Sequence, residues 1–258
     1  MKAGYIDLHQ TKKVYERSCE GIVKRIIICA GTGCVANGSL KVYDALVKSV
    51  DAAKLNVIVE LKDEKHDNAM HISKSGCQGF CQMGPLVTVL PENILYTKVG
   101  AADVPEIVEK TLKNGEIIDR LLYCDPNTSK HCRGVSEIPF YTRQCRFVLK
   151  ECGIIDPEDI NEYIARDGYS AAENSVRKMS GEEVCRLILD SGLRGRGGGG
   201  FPTGRKWDFV RNTAGEKKYV IVNGDEGDPG AFMDRSLMEG DPHAVLEGMA
   251  IAAYAVGA

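Results

Sequence analysis

The chain has 258 residues, 43% of them apolar, with Lys+Arg 33 against Asp+Glu 36 and a formal charge of -3. That length suits one large domain or two smaller ones, and that apolar content is enough for a real core. The near-neutral balance gives no electrostatic case for nucleic acid or an anionic membrane surface, and no run approaches the roughly 18 uncharged apolar residues of a membrane span.

Residues 1–22 mix polar and apolar positions without a clear period, as an arm or an amphipathic lead-in helix would. They contain no signal-peptide core, so the expected location is cytoplasmic. Ten cysteines are many for a reducing compartment and are expected to serve as metal ligands, catalytic groups or buried small hydrophobes rather than disulfides.

Lys24 to Ile28 is a β-branched run that ends directly in Cys29 and the turn AGTG before Cys34, a strand feeding a loop. Ser39 to Val50 carries Leu40, Tyr43, Leu46, Val47 and Val50 at helical spacing, with Ser39 as its N-cap. Asn56 to Leu61 reads as a second strand, so the order predicts a βαβ unit with a parallel pair and a right-handed crossover. Cys77 to Cys81 and Gly84-Pro85 form a second cysteine loop. Leu86 to Leu90 and Ile94 to Tyr96 follow as a hairpin turned by Pro91-Glu92-Asn93, and Val104 to Leu112 as a helix capped by Asp103. Residues 23–118 thus have a thioredoxin-like order of elements.

Residues 119–160 are rich in turn signals and have no long amphipathic period, as expected of a linker that packs on its neighbours. Asp159 to Ile164 and Gly181 to Leu189 read as helices, the second led by a Ser180/Glu183 capping box. Then comes LRGRGGGGFPTGRKW, Leu193 to Trp207, whose four consecutive glycines offer bare backbone bordered by cations and aromatic rings. Lys218 to Val222 reads as a strand that runs into NGDEGDPG, and the stretch from Asp241-Pro242 onward as an apolar helix. Residues 161–258 are therefore expected to open an α/β domain that a longer chain would complete.

Cys29-x4-Cys34 and Cys77-x3-Cys81 are two close pairs on glycine-bearing loops. Four thiolates can hold a 2Fe-2S cluster, with backbone N–H groups tuning its sulfurs. The alternatives at this point are a structural zinc site, usually of tighter spacing, or a redox dithiol, which would need an absent CxxC. The spacing, with GC before x3 and C-x-x-GP after, closely resembles the thioredoxin-like 2Fe-2S ferredoxin family, and the resemblance implies Cys29, Cys34, Cys77 and Cys81 as cluster ligands. Cys19, Cys124, Cys132, Cys145, Cys152 and Cys185 match no metal template and are expected to be incidental.

The glycine run precedes its strand, so an ordinary GxGxxG dinucleotide fingerprint does not fit. Cations and backbone N–H groups suit phosphates, while the carboxylates of the following loop suit ribityl or ribose hydroxyls. Gly195 to Trp207 and Asn223 to Gly230 resemble the GRGGxGFPTGxKW and NxDExxPG motifs of the NADH-oxidising flavin subunit of complex I and its soluble relatives. That resemblance implies FMN contacts from Gly195, Arg196, Gly197, Gly198, Lys206, Asn223 and Asp225, with Gly199 and Gly200 in the same bare loop. It places Phe201, Lys206, Phe209, Glu226 and Asp228 around NAD(H) or NADP(H). Asp228 stands where respiratory members usually carry glutamate, one methylene longer. The fused ferredoxin domain most resembles the beta subunit of soluble, often electron-bifurcating, FeFe hydrogenases and the diaphorase subunit of NAD-dependent formate dehydrogenases. The resemblance implies partner iron-sulfur subunits, no membrane insertion, and a 4Fe-4S motif only in a longer chain.

Overall fold

The computed structural model describes residues 6–258; residues 1–5 of the N-terminal arm lie outside the described residues. Helix α1 (Leu8–Ser18) is capped by Asp7, whose side chain accepts the Gln10 N–H at 2.9 Å. Strand β1 (Ile22–Cys29) follows, then the one-turn helix α2 (Thr32–Ala36), helix α3 (Ser39–Ala52) and the two-residue strand β2 (Val57–Ile58). Strand β3 (Ala69–Ser75) lies before the second cysteine loop, and the hairpin β4 (Val87–Leu90) and β5 (Ile94–Tyr96) after it. Helix α4 begins at Val104–Glu106 and runs on as a π-helical segment over Ile107–Lys113.

The five strands form one sheet in the order β2-β3-β1-β4-β5, with β1 and β2 parallel to β3 and the β4/β5 hairpin antiparallel. Strand β1 is central, so both of its faces are covered and Ile26, Ile27 and Ile28 are all buried. On one face Val42, Leu46 and Val50 of α3 and Ile107, Val108 and Leu112 close over Ile26, Ile28 and Ile72. Gly38, not Ser39, occupies the N-cap of α3, and Leu40 is exposed, so the buried stripe starts two residues later than its sequence spacing implied. Asp103 accepts the Gly100 N–H at 2.8 Å across the turn that leads into α4.

The expected β1/β2 pair does not form, because β3 inserts between them. Strand β3 carries His71, Ser73 and Ser75 at buried positions, and this polar inward row masks its strand character in the sequence.

The segment 119–160 packs on the sheet through a small ladder, β6 (Tyr123–Cys124) with β7 (His131–Cys132), and the short helix α5 (Pro139–Thr142). Buried Cys132 and Ile138 join Cys29, Cys34, Leu86 and Leu95 in an apolar cluster. Beyond it come α6 (Ile160–Ala165), α7 (Ser170–Lys178), α8 (Gly181–Asp190), α9 (Thr203–Asn212), α10 (Met233–Gly240) and α11 (Pro242–Val256). The Ser180/Glu183 capping box opens α8, and the Asp241 carboxylate caps α11 through the Ala244 N–H at 3.1 Å. Val184, Cys185 and Ala255 centre this helical layer, with Trp207 packed against them.

Residues 218–222 are not a strand. Among the described residues they have no neighbouring strand to pair their backbone, and Tyr219 and Ile221 are 77% and 85% exposed. No helix among the described residues is long and apolar enough to cross a membrane.

A bidentate ion pair joins the sheet to the helical layer. Arg25 of β1 donates to both oxygens of Glu162 in α6, at 2.5 and 2.9 Å, and its Nε donates to the Ser73 hydroxyl at 2.9 Å. Glu162 is only 3% exposed and also accepts the Asp156 N–H at 2.9 Å.

Candidate functional site

Both cysteine loops leave the same end of the parallel pair β1/β3, where Cys29 lies in register with Ser75. Carboxyl ends of parallel strands diverge into loops and so leave room for a ligand. The first loop turns through Ala30 and Gly31 into α2, which presents Cys34; the second runs from Gly76 through Cys77 to the 3-10 turn Cys81–Met83.

The loops interlock. A Cβ on Gly31 would lie 2.6 Å from the Cys77 Cα, and one on Gly84 would lie 2.5 Å from the Cys34 sulfur, so only glycine permits this approach at either position. Cys29, Cys34 and Cys77 are buried, Cys81 is half-buried, and all are free thiols. The Cys77 and Cys81 sulfurs are 3.7 Å apart. A tetrahedral metal with metal–sulfur bonds of about 2.3 Å sets two thiolates about 3.8 Å apart, so that pair is already at bridging distance for one metal atom.

Cys29 and Cys34 form the other pair. A hydrogen bond from the Cys34 thiol, helped by the Gly31 and Gln78 N–H groups, pulls Cys29 down to about 7 against the effect of its burial, while the same hydrogen bond and burial push Cys34 up. The Gly79 N–H reaches the Cys77 sulfur at 3.3 Å, and burial with the nearby Cys77 pushes Cys81 up to about 11. Among the described residues no three His, Cys, Asp or Glu side chains gather within reach of a single ion.

The remaining cysteines are spent elsewhere. Cys132, Cys152 and Cys185 are buried, and their thiols donate to the carbonyls of Glu137, Ser236 and Ala255 at 3.5, 3.7 and 3.8 Å. Cys124 and Cys145 are exposed, and Cys19 is half-buried.

The glycine run forms the tip of a closed loop. Its base is tied by the Gly195 N–H to the Phe201 carbonyl and the Thr203 N–H to the Leu193 carbonyl, each at 2.9 Å. A Cβ added at any of Gly197 to Gly200 would meet nothing, so the bare backbone faces open space on both sides. The Arg194 guanidinium ties back to the Gly200 carbonyl at 3.3 Å.

The predicted cofactor residues divide between the two faces of this loop. On one face Gly195, Gly199, Gly200, Phe201 and Lys206 line a cleft of about 560 Å³. On the other, Arg196, Gly198, Glu226 and Asp228 line a cleft of about 740 Å³, and Gly197 borders both. The opposite wall of the larger cleft includes Gly79, so it reaches the second cysteine loop. Asn223 and Asp225 line neither cleft; the Asn223 side chain instead accepts the Asp225 N–H at 3.1 Å. Phe209 is 58% exposed, with its ring 6.3 Å from that of Phe201. Glu226 also has a structural task, accepting the Asp234 and Arg235 N–H groups at 2.8 and 3.0 Å at the start of α10.

Residues that the sequence did not single out complete these walls. Phe140 and Arg146 of the connecting segment line the larger cleft, and Tyr219, Val220 and Ile221 the smaller. The exposed apolar run was the available signal at 219–221; Phe140 and Arg146 had none, because long-range packing brings them there.

Together these features define an α/β protein in which a thioredoxin-like, cysteine-bearing domain is docked on the glycine and acidic loops of a second domain. Residues 13–112 match the thioredoxin-like [2Fe-2S] ferredoxin family and residues 188–258 the Nuo51 FMN-binding domain. Over these two segments the chain is similar to thioredoxin-like [2Fe-2S] ferredoxins and to the FMN-binding domain of that second family. It is 52% identical over 116 residues to the NADP-reducing hydrogenase subunit HndC of Solidesulfovibrio fructosivorans, covering 45% of this chain and 23% of that protein. Similarity to the NAD-reducing hydrogenase HoxS subunit alpha of Cupriavidus necator is 29% identity over 245 residues, covering 90% of this chain and 35% of that one. The thioredoxin-like [2Fe-2S] ferredoxin from Aquifex aeolicus is 30% identical, with 39% of this chain and 95% of that chain covered and a TM-score of 0.33. The chain thus spans about a quarter to a third of the length of these two hydrogenase relatives.

Proposed function

We propose that this chain is the electron-entry module of an NAD(P)H:acceptor oxidoreductase, with a 2Fe-2S cluster on Cys29, Cys34, Cys77 and Cys81 and an FMN/nicotinamide site at the glycine loop. The observation that carries the reading is the larger cleft, whose walls include both the glycine and acidic loops and Gly79, two residues from Cys77. A ligand held there would lie beside the cysteine pocket.

When bound, FMN supplies the exchange between two-electron hydride chemistry and one-electron carriers. Hydride transfer needs no acid or base side chain, so the protein's contribution is position and electrostatics. Bare backbone at Gly197 to Gly200 permits close approach of a flat ring system or of phosphates, and Arg196 and Lys206 supply positive charge on the two faces. Phe201 offers a half-exposed ring for stacking, and Glu226 and Asp228 offer acceptors for ribose hydroxyls. The cysteine loops bury three of their four sulfurs and direct N–H groups at them, which stabilises negative charge on sulfur.

The partners we infer are further iron-sulfur subunits of a hydrogenase or formate dehydrogenase, including an electron-bifurcating one. The competing reading is a cluster-bearing electron-transfer or docking unit that binds no flavin.

Anaerobic reconstitution with iron and sulfide, then EPR and extraction of bound flavin, separates these readings. A rhombic signal on reduction that Cys34→Ser abolishes, together with bound FMN and NADH:viologen activity, is the expected result. A cluster without flavin favours the docking unit, and bound zinc without visible absorbance overturns the redox reading.

A further inference from the structure

Tyr141 reaches the cysteine pocket from outside the ferredoxin-type domain. It lies in α5 of the connecting segment and packs against the buried cluster that contains Cys29 and Cys34. Three contacts fix its ring: the edge of Phe80 at 5.4 Å, Phe140 at 5.2 Å, and the Arg146 guanidinium over its face at 4.8 Å. Arg146 is itself held by the Gln78 carbonyl at 2.8 Å, inside the second cysteine loop.

The Tyr141 hydroxyl is buried and has no hydrogen-bond partner among the described residues. A buried donor left unmade is destabilising, and a phenylalanine would fill the same aromatic box without that penalty. Burial pushes its ionisation far above neutral, with the Arg146 guanidinium opposing and the sulfurs of Cys29, Cys77 and Cys34 adding to it, so it remains a protonated donor. Its ring packs against the cluster that holds Cys29 and Cys34, between Phe80 and Arg146, which both belong to or bind the second cysteine loop, so the hydroxyl is buried among the two cysteine loops.

We propose that the Tyr141 hydroxyl donates a hydrogen bond to a sulfur of the iron-sulfur group held by Cys29, Cys34, Cys77 and Cys81, and so raises its reduction potential. Reduction adds negative charge to sulfur, so a donor aimed at sulfur stabilises the reduced state more than the oxidised one. Tyr141 acts through the cluster as a tuning residue; the connecting segment thereby sets a property of the domain it packs on.

This inference rests on the cluster assignment above, and its test separates the two. The full chain is reconstituted anaerobically as wild type, as Tyr141→Phe, and with 3-fluorotyrosine incorporated at position 141. Each is titrated by EPR and scored for iron and sulfide content. Tyr141→Phe is expected to keep its cluster but make reduction about tenfold less favourable, a fall of about 59 mV for one electron. The 3-fluoro side chain is a stronger donor and should move the potential upward. Pulsed EPR after exchange into deuterium oxide should show one exchangeable proton coupled to the reduced cluster in wild type and lost in Tyr141→Phe. Equal potentials and equal exchangeable couplings in proteins of equal iron content overturn the inference. If the phenylalanine variant does not retain iron, an unshifted potential in the 3-fluoro protein overturns it instead. A wild type that takes up no cluster overturns the cluster assignment itself.

Discussion

The Glu239 carboxylate accepts the Thr32 N–H at 3.1 Å and a second hydrogen bond from the Thr32 hydroxyl, joining α10 to the first cysteine loop across 207 residues of sequence. Helix α10 starts on Glu226 in the acidic loop and ends on this contact. A single helix therefore connects the glycine-and-acidic-loop cleft to the cysteine pocket.

Glu239 also places a negative charge near Cys29, opposing the added charge of reduction. Glu239→Gln should raise the potential of the proposed 2Fe-2S cluster while keeping an acceptor for Thr32. Glu239→Ala should raise it similarly and lower stability by about 1–2 kcal/mol, because two donors lose a charged acceptor. EPR-monitored titration and urea denaturation of both variants check this; a lower potential in the glutamine variant would contradict the electrostatic account.

Gly76 sits where α10 meets the second loop. A Cβ there would lie 2.1 Å from the Gly240 Cα and 2.3 Å from the Glu239 carbonyl oxygen, both backbone atoms that cannot turn aside as a side chain could. Gly76→Ala is expected to cost about 1–3 kcal/mol by overpacking and to loosen the loop that starts at Cys77. Iron content after reconstitution and the denaturation midpoint should both fall. Gly38→Ala, where a Cβ meets nothing but φ is +92°, is the control for backbone strain without a clash.

Much of the ferredoxin-type domain was legible because its signals are local. The run Ile26–Ile28 marks a strand covered on both faces, and cysteine spacing marks the loops. Strand β3 was not legible: its inward positions are His71, Ser73 and Ser75, which look like loop composition in isolation, although Ser73 accepts a hydrogen bond from Arg25 of β1. The opposite failure occurred at Lys218 to Val222, where β-branched composition signalled a strand and no described neighbour pairs with it. For the site, the glycine loop and its cations were legible. Its division into two faces, and the arrival of Arg146 and Phe140 at one of them, depend on tertiary packing that no local pattern encodes.

The Arg25–Glu162 pair should behave as a buried ion pair does. Removing one partner leaves an uncompensated charge and is expected to cost about 3–5 kcal/mol, so Glu162→Leu and Arg25→Met should each destabilise severely. The double variant Arg25→Met/Glu162→Leu should recover most of that loss, since neither charge then remains to be desolvated. A double-mutant cycle by chemical denaturation checks this, and additive losses would refute it.

His71 makes the stability of the fold fall with pH. It is 7% exposed, and burial, with Arg25 nearby, pulls its imidazole from the ordinary 6.5 down to about 4, so it is neutral in the folded chain near neutral pH. Between those values the unfolded chain binds a proton that the folded chain refuses, so stability falls as pH falls through that window. The contribution is fully present above about pH 6.5 and absent below about 4; at about 1.4 kcal/mol per pH unit it amounts to roughly 3 kcal/mol. His71→Asn removes the titrating group, so the difference between wild-type and variant unfolding free energies should shrink by that amount from pH 7 to pH 4. Urea denaturation in parallel across this range measures it. A pH-independent difference would mean that His71 titrates alike in the folded and unfolded chain, and a difference that grows as pH falls would mean that Glu162 holds it protonated in the folded state.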